Sequence, residues 1–370
     1  FVEVTMAHKY RTTLSDGSIS GGPMYYIEKS FNKRWAGVLF AALMMICAIG
    51  SGNMPQINNI ASVLDSTFSI PKLATGLILG VMLWMIIAGG IKRIAKIASK
   101  LVPIMAVIYF GGALVVVIEN YQNIIPSFHS IFSQVFTGSA AAGGFLGASF
   151  AMSLKLGVAR GLYSNEAGQG SSPIAHASAK AEHSVEQGMV SILEPFIDTI
   201  VVCSVTALVI LSSGAWTQKY DNTFERSSMA IFEGSYAENN SKDVEELGKY
   251  ILDARNFTSD TTNVENFTGS LDLIDGQLQK QSVTVFHNNS IAEDVVFYQG
   301  AEPVSGLLEI ADGKIADSSI RVEGKSLIHS AELTSKAFGS GILGMYGEYI
   351  VAIGLLLFAF STAIAWSYYG

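Results

Sequence analysis

Arg160-Gly-Leu-Tyr-Ser-Asn-Glu-Ala-Gly-Gln-Gly-Ser-Ser-Pro-Ile-Ala-His176 follows an apolar, glycine-rich run, Ala140 to Leu154, without a clean polar loop between them. Glycine, serine and asparagine at this density unwind a helix. Ser164 or Asn165 is placed to cap a new one, with Glu166 near its start. An unwound segment at membrane depth frees carbonyls for a cation and amides for a carboxylate, as broken helices of secondary transporters do. The same composition also fits an ordinary cytoplasmic connector, and spacing does not choose between the two. No Gly-Lys-Ser/Thr follows, so a phosphate cradle is not indicated.

The surroundings decide what solvent this stretch meets. The chain has 370 residues, 49% apolar and only 15% charged, against about 25% charged in soluble domains. Charge-free runs cover Ala36 to Ser62, Leu73 to Ile91 and Leu101 to Ile118. With Ala140 to Leu154, Met189 to Leu211 and Gly341 to Trp366 they predict six spans, since about 20 helical residues cross the hydrocarbon. Phe1 to Ala7 reads as the tail of another helix, and we expect a chain truncated at both ends. Cys47 and Cys203 sit within spans and read as buried free thiols.

Orientation follows from Lys and Arg in short loops. Lys9, Arg11, Lys29, Lys33 and Arg34 lie before the first run, Lys92, Arg93, Lys96 and Lys100 in the next loop on that side, and Lys155, Arg160 and Lys180 in the third. Loops 63–72 and 119–139 hold only Lys72. The basic loops are expected in the cytoplasm of a multi-pass plasma (inner) membrane protein, and residues 217–334 outside. The segment 213–340 carries 10 basic and 20 acidic residues, the origin of the overall −8. The predicted domains are a membrane core at 1–216, an extracytoplasmic insertion at 217–334 and a further membrane helix at 335–370. Alternation in 282–286, 294–298, 306–310 and 319–323 predicts a small β-rich domain, with a helical patch at 244–254. His287 and His329 read as lone exposed histidines. The sequons at Asn239, Asn256, Asn266 and Asn288 read as chance occurrences.

Two more places put polar groups at membrane depth. Gly50-Ser-Gly-Asn-Met-Pro-Gln-Ile-Asn-Asn59 carries four amides and a proline late in its span. Gln56, Asn59 and Val63 share one face, which either lines a pathway or bonds a neighbouring helix. Ser361 and Thr362 lie in the last span, where hydroxyls bond their own helix or coordinate a hard cation such as Na⁺. Glu194 and Asp198 lie one turn apart around Pro195: either Asp198 and Thr199 join a proton or ion relay, or the acids belong to a structural pairing with Arg160 or Lys155 as candidate partner. No metal-ligand cluster or nucleophile–base pair supports an enzyme, and no nucleic-acid partner or cofactor is expected.

Gly161 to Ala177 resembles the signature of the alanine/glycine:cation symporters, as do Gly50 to Ala61, Gly188 to Leu211 and Phe358 to Gly370. Asp16-Gly, Gly21-Gly-Pro-Met-Tyr-Tyr, Gly90-Ile-Lys-Arg-Ile and Leu101-Val-Pro also match, in family order. Tyr163 stands where the family usually has Phe, Ser184 where Pro follows His183, and Lys155 where Arg is common. The resemblance implies an all-α leucine-transporter-like inverted-repeat fold, represented by the tail of helix two and helices three to eight. It implies uptake of alanine or glycine driven by Na⁺, or by H⁺. It places substrate contacts at Gln56, Gly161, Tyr163, Ser164, Asn165 and Ala167 with Thr362 opposite, and cation ligands at Ser361 and Thr362. Helix one, the other half of such a site, is expected to be missing, so this chain alone should not transport. The family normally has a short connection at 217–334, and that segment's role and partner are not inherited. A membrane sensor that binds ligand through this outer segment is the alternative function.

Overall fold

The computed structural model describes residues 1–15, 17–137, 150–254, 262–279 and 282–370. Four described helices are long and apolar enough to cross a membrane: Arg34–Asp65, Arg93–Glu119, Ser184–Ser213 and Met345–Tyr369. The Lys72–Ile87 helix is apolar but shorter. Most of the expected Ala140–Leu154 span lies outside the described residues. The N-terminal helix is short, Val2–Lys9.

The chain divides into two compact units. The first holds Phe1–Glu119, Gly157–Val209 and Thr334–Gly370. Its first long helix is not uniform: Arg34–Cys47 is α-helical, Ala48–Asn53 is π-helical, and Met54–Phe68 is α-helical again. Pro55 explains the change of winding. It has no N–H to close the ordinary i→i−4 bond on the Ser51 carbonyl. A second π-helical segment, Phe196–Val202, begins directly after Pro195. The Met345–Tyr369 helix packs on Met54–Phe68 and Gly90–Glu119. Ile60, Leu79, Ile94, Phe360 and Ile364 are buried between these helices. A second apolar cluster of Met44, Ala48, Ile174 and Trp366 joins the π-helical segment to the Ser172–His176 helix. At one end Arg11 Nη1 donates to the Ala177 and Ala179 carbonyls at 3.2 and 2.8 Å. Elsewhere Glu348 pairs with Lys336 at 2.9 Å.

A two-residue hairpin, β1 (Thr12–Thr13) with β2 (Ile19–Ser20), belongs to this unit. The second unit holds Asn120–Leu156 and Ile210–Leu333. Its strands are β3 (Tyr220–Thr223), β4 (Met229–Glu233), β5 (Gly269–Ile274), β6 (Gln277–Leu278), β7 (Val283–His287), β8 (Ser290–Ile291), β9 (Glu293–Gln299), β10 (Glu302–Pro303), β11 (Gly306–Ala311), β12 (Lys314–Ile315) and β13 (Ile320–Ser326). They form three antiparallel sheets, ordered β10-β9-β13-β3, β12-β11-β5-β6 and β4-β7-β8. Alternation in β13 buries Ile320, Val322 and Ser326, as a half-buried strand requires. The Ser241–Ala254 helix buries Val244, Leu247 and Ile251 at helical spacing against Phe232 and Phe286.

His287 is not the exposed, isolated residue the sequence suggests. It is 1% exposed. The Phe224 ring stacks on it at 4.4 Å. Its Nδ1 meets Ser326 Oγ at 2.7 Å, and its Nε2 accepts from the Glu225 N–H at 3.2 Å. Burial, helped by His329, pushes its pKa down to about 4. The free cysteines also differ from expectation: Cys47 is half-buried and Cys203 exposed on the protein surface. Among the sequons, Asn266 spends its amide on Tyr250 and Asp312, while Asn256 lies outside the described residues.

Candidate functional site

The polar stretch keeps more helix than its composition suggests. Phe150–Asn165 is helical through Gly161, Tyr163 and Ser164. The break falls at residues 166–171, before the Ser172–His176 helix. Ser164 and Asn165 therefore end one helix rather than cap the next, and Glu166 stands in the break. Glu166, Gly168 and Gly170 take positive φ of 54°, 78° and 78°. At Gly170 a side chain would also collide with Phe40 and Pro23, 2.8 and 2.9 Å from an added Cβ, so only glycine fits.

Side chains in the break satisfy the groups that unwinding leaves open. Asn165 Oδ1 accepts from the Ala167 N–H at 2.9 Å. Gln169 Nε2 donates to the Leu162 carbonyl at 2.9 Å, closing the helix end. Ser171 Oγ donates to Glu166 Oε2 at 2.5 Å, and the Trp366 indole faces the same carboxyl group.

Both π-helical segments converge on this helix end. Tyr163 donates its hydroxyl to the Ser51 carbonyl at 2.6 Å, the carbonyl that Pro55 cannot serve in an α-helix. The Gln56 amide lies within reach of the same phenol. On the other side Ser164 Oγ donates to Asp198 Oδ2 at 2.6 Å, and Asn165 Nδ2 donates to Thr199 Oγ1 at 3.2 Å. Thr199 in turn donates to Asp198 at 3.3 Å. Glu194 accepts from Ser172 at 2.9 Å and faces His176 Nε2 at 3.3 Å. The structure thus brings together Gln56, Tyr163, Ser164, Asn165 and Ala167. Gly161 is on the same helix, with open space beyond its Cα.

Ser361 and Thr362 both donate to the Phe358 carbonyl, at 2.8 and 3.1 Å. Their hydrogen bonds stay within their own helix. A hydroxyl that donates its hydrogen still has lone pairs to offer. Trp366, one turn after Thr362, covers Gly52 of the first π-helical segment so closely that a Cβ there would enter its indole ring. Thr362 therefore lies on the helix face that meets this segment.

Asp198 and Thr199, candidates for a relay by sequence, meet this helix end, and Glu166 and Trp366 join them without a site role assigned by sequence. An acid at membrane depth marks Asp198 as a functional candidate, but its partners are set by tertiary contacts. Asn53 adds a further feature: its Oδ1 is buried and has no hydrogen-bond partner. A buried acceptor of this kind calls for a donor or a cation. Among the described residues no group of three His, Cys, Asp or Glu side chains is arranged to hold a metal ion.

These polar contacts lie among apolar helices of membrane-crossing length, and comparison with known proteins agrees with that setting. The chain is 42% identical over 219 residues to the uncharacterized transporter YflA of Bacillus subtilis, covering 59% of this chain and 46% of the relative. It is 42% identical over 218 residues to the sodium/alanine symporter AgcS of Methanococcus maripaludis, covering 58% and 47%. It is 41% identical over 216 residues to the probable sodium/glutamine symporter GlnT of Bacillus subtilis, covering 58% and 44%. The chain spans about half the length of the curated relatives it matches. The model of the sodium:alanine symporter family matches residues 1–239 and 315–370, which include the break, both π-helical segments and the last helix. The chain belongs to the sodium:alanine symporter family.

Proposed function

We propose that this chain forms part of the pathway of a Na⁺-coupled symporter for alanine or glycine, working by alternating access in a leucine-transporter-like inverted-repeat fold. The observation that carries the reading is the junction at Tyr163–Asn165, where one broken helix is bonded to two π-helical segments. Irregular backbone at membrane depth survives only where it is packed in protein or lines a cavity. Here it collects an amide, a phenol, two hydroxyls and a carboxyl group among otherwise apolar spans. A zwitterionic amino acid needs both signs of partner. The Gln56 amide, the Tyr163 hydroxyl and the backbone around Ala167 suit its carboxylate, with Gly161 leaving room beside them. Ser164 and Asn165 hold Asp198 and Thr199 as the opposite wall, toward an ammonium group or an ion.

Na⁺ is a hard cation that prefers oxygen ligands. Ser361 and Thr362 offer hydroxyl oxygens whose hydrogens are already committed to Phe358, and Thr362 also faces the substrate. The distribution of Lys and Arg in the short loops supports an outer position for residues 217–334. The relatives named for alanine and for glutamine make the side-chain allowance the finest question.

Uptake of labelled alanine by proteoliposomes of the full-length protein tests the reading. A Na⁺ gradient should drive uptake, and unlabelled alanine and glycine should compete better than glutamine. Uptake that follows a proton gradient and ignores Na⁺ would replace the coupling ion. Competition by glutamine alone would replace the substrate. Gln56→Ala and Thr362→Ala should each impair uptake; unchanged kinetics in both would remove the site.

A further inference from the structure

The long Gly90–Glu119 helix carries a feature that transport does not use. Arg93, Lys96 and Lys100 recur at helical spacing along one face, and all three are exposed. Ile94, on the opposite face, is buried among the other helices. None of the three cations enters an ion pair with a described carboxylate. They border a groove of about 780 Å³ whose floor is apolar, with Ile97, Ile104 and Leu357 of the last long helix along it. The Arg93 stem lies against Gly89 at the groove's upper end.

The position of this groove relative to the bilayer follows from the sequence. The charge-free run Leu101 to Ile118 rises about 27 Å as a helix, close to the roughly 30 Å of the hydrocarbon. Lys100 therefore stands at headgroup level. Lys96 and Arg93 lie about one and two turns further out, and Ile104 lies in the acyl region. Cations at the rim with an apolar channel beneath match one kind of molecule, with an anionic head and a hydrocarbon tail. A soluble anion leaves the channel unexplained, and a neutral lipid leaves three unpaired cations.

We propose that this groove is a binding site for an anionic phospholipid of the leaflet at the Gly90 end. Arg93, Lys96 and Lys100 hold the phosphate and headgroup, and one acyl chain lies along Ile97, Ile104 and Leu357. Arg93 supplies the planar fork suited to phosphate oxygens, and the two lysines supply mobile point charges. The site needs no particular transported substrate.

The test reconstitutes the full-length protein in an equimolar mixture of phosphatidylcholine and phosphatidylglycerol, then counts the lipids retained after extraction by native mass spectrometry. Phosphatidylglycerol should be retained with roughly 100-fold preference, the order expected of three cations at a membrane surface. Replacing Arg93→Gln, Lys96→Gln and Lys100→Gln together should bring the ratio to about one. Leu357→Trp, which fills the channel and keeps every charge, should also abolish retention. Equal retention of the two lipids by the wild-type protein overturns the proposal. So does a preference that survives either the triple glutamine variant or Leu357→Trp. Displacement of the lipid by millimolar inorganic phosphate would identify a free-anion site and overturn it as well.

Discussion

Tyr163 and Ser51 are 112 residues apart, yet the Tyr163 hydroxyl donates to the Ser51 carbonyl at 2.6 Å. Pro55 leaves that carbonyl without its α-helical donor, and a phenol from another helix supplies one. A phenylalanine packs in the same space without donating. Tyr163→Phe should therefore fold normally and weaken the junction by about 1 kcal/mol. In uptake by the full-length protein this predicts a KM raised about fivefold, with kcat within about twofold. An unchanged KM would show that the bond does not reach the substrate.

Asp198 holds Ser164 and Thr199 through one oxygen, Oδ2. Asp198→Asn keeps the shape but replaces charge-assisted acceptance with a neutral amide. Hydrogen bonds to charged groups contribute roughly 1.5–3 kcal/mol, so kcat/KM for alanine should fall by about 10- to 100-fold. Ser164→Ala, which removes one donor and leaves the acid, should cost less. Equal losses in the two variants would make the hydroxyl, not the charge, the working group.

How far this site was legible differs from residue to residue. Glycine, serine and asparagine density announces a break within Arg160–His176, and Pro55 marks a missing backbone donor late in its span. Composition does not place the break to the residue. The side chains of Asn165 and Gln169 satisfy the helix end locally, which extends the helix to Asn165 and moves the break to 166–171. The partners of Asp198 and the cover of Trp366 over Gly52 are tertiary, and no local spacing contains them. His287 is the sharpest contrast. A lone histidine in a polar segment reads as exposed, because its partners Ser326 and Glu225 come from distant parts of the chain. The ends of the family match add a related point. Strands β3 and β13 lie inside it and pair with each other. Strands β9 and β10, which extend that pair into a four-stranded sheet, lie in the unmatched residues 240–314.

Gly52 and Trp366 make a steric lock between the first π-helical segment and the last helix. Gly52→Ala puts a methyl group into the indole ring. Overpacking of this kind costs about 1–3 kcal/mol, so the detergent-solubilised protein should melt several degrees lower. In a Trp366→Leu background the same change should cost at least about 1 kcal/mol less, since contacting residues are not additive. Full additivity would mean that the two side chains do not meet.

The buried His287 makes the second unit sensitive to acid, with a definite sign. Its Nε2 accepts from the Glu225 N–H, so a proton there would face a donor. Burial adds to this and holds the pKa at about 4, against 6.5 for a free histidine. Above pH 6.5 neither the folded nor the unfolded chain protonates the ring, and stability is full. Between 6.5 and 4 only the unfolded chain takes up the proton, so stability is lost as pH falls. At about 1.4 kcal/mol per pH unit the loss approaches ~3 kcal/mol near pH 4. Hydrogen exchange of the β7 and β13 amides in the full chain, converted to opening free energies, should fall by most of this amount between pH 7 and 4.5. His287→Gln keeps an acceptor for Glu225 and a donor for Ser326 but does not titrate. Its exchange should lose that pH dependence, leaving the shallower slope of the surface carboxylates. Identical slopes in the two proteins would assign the acid sensitivity elsewhere.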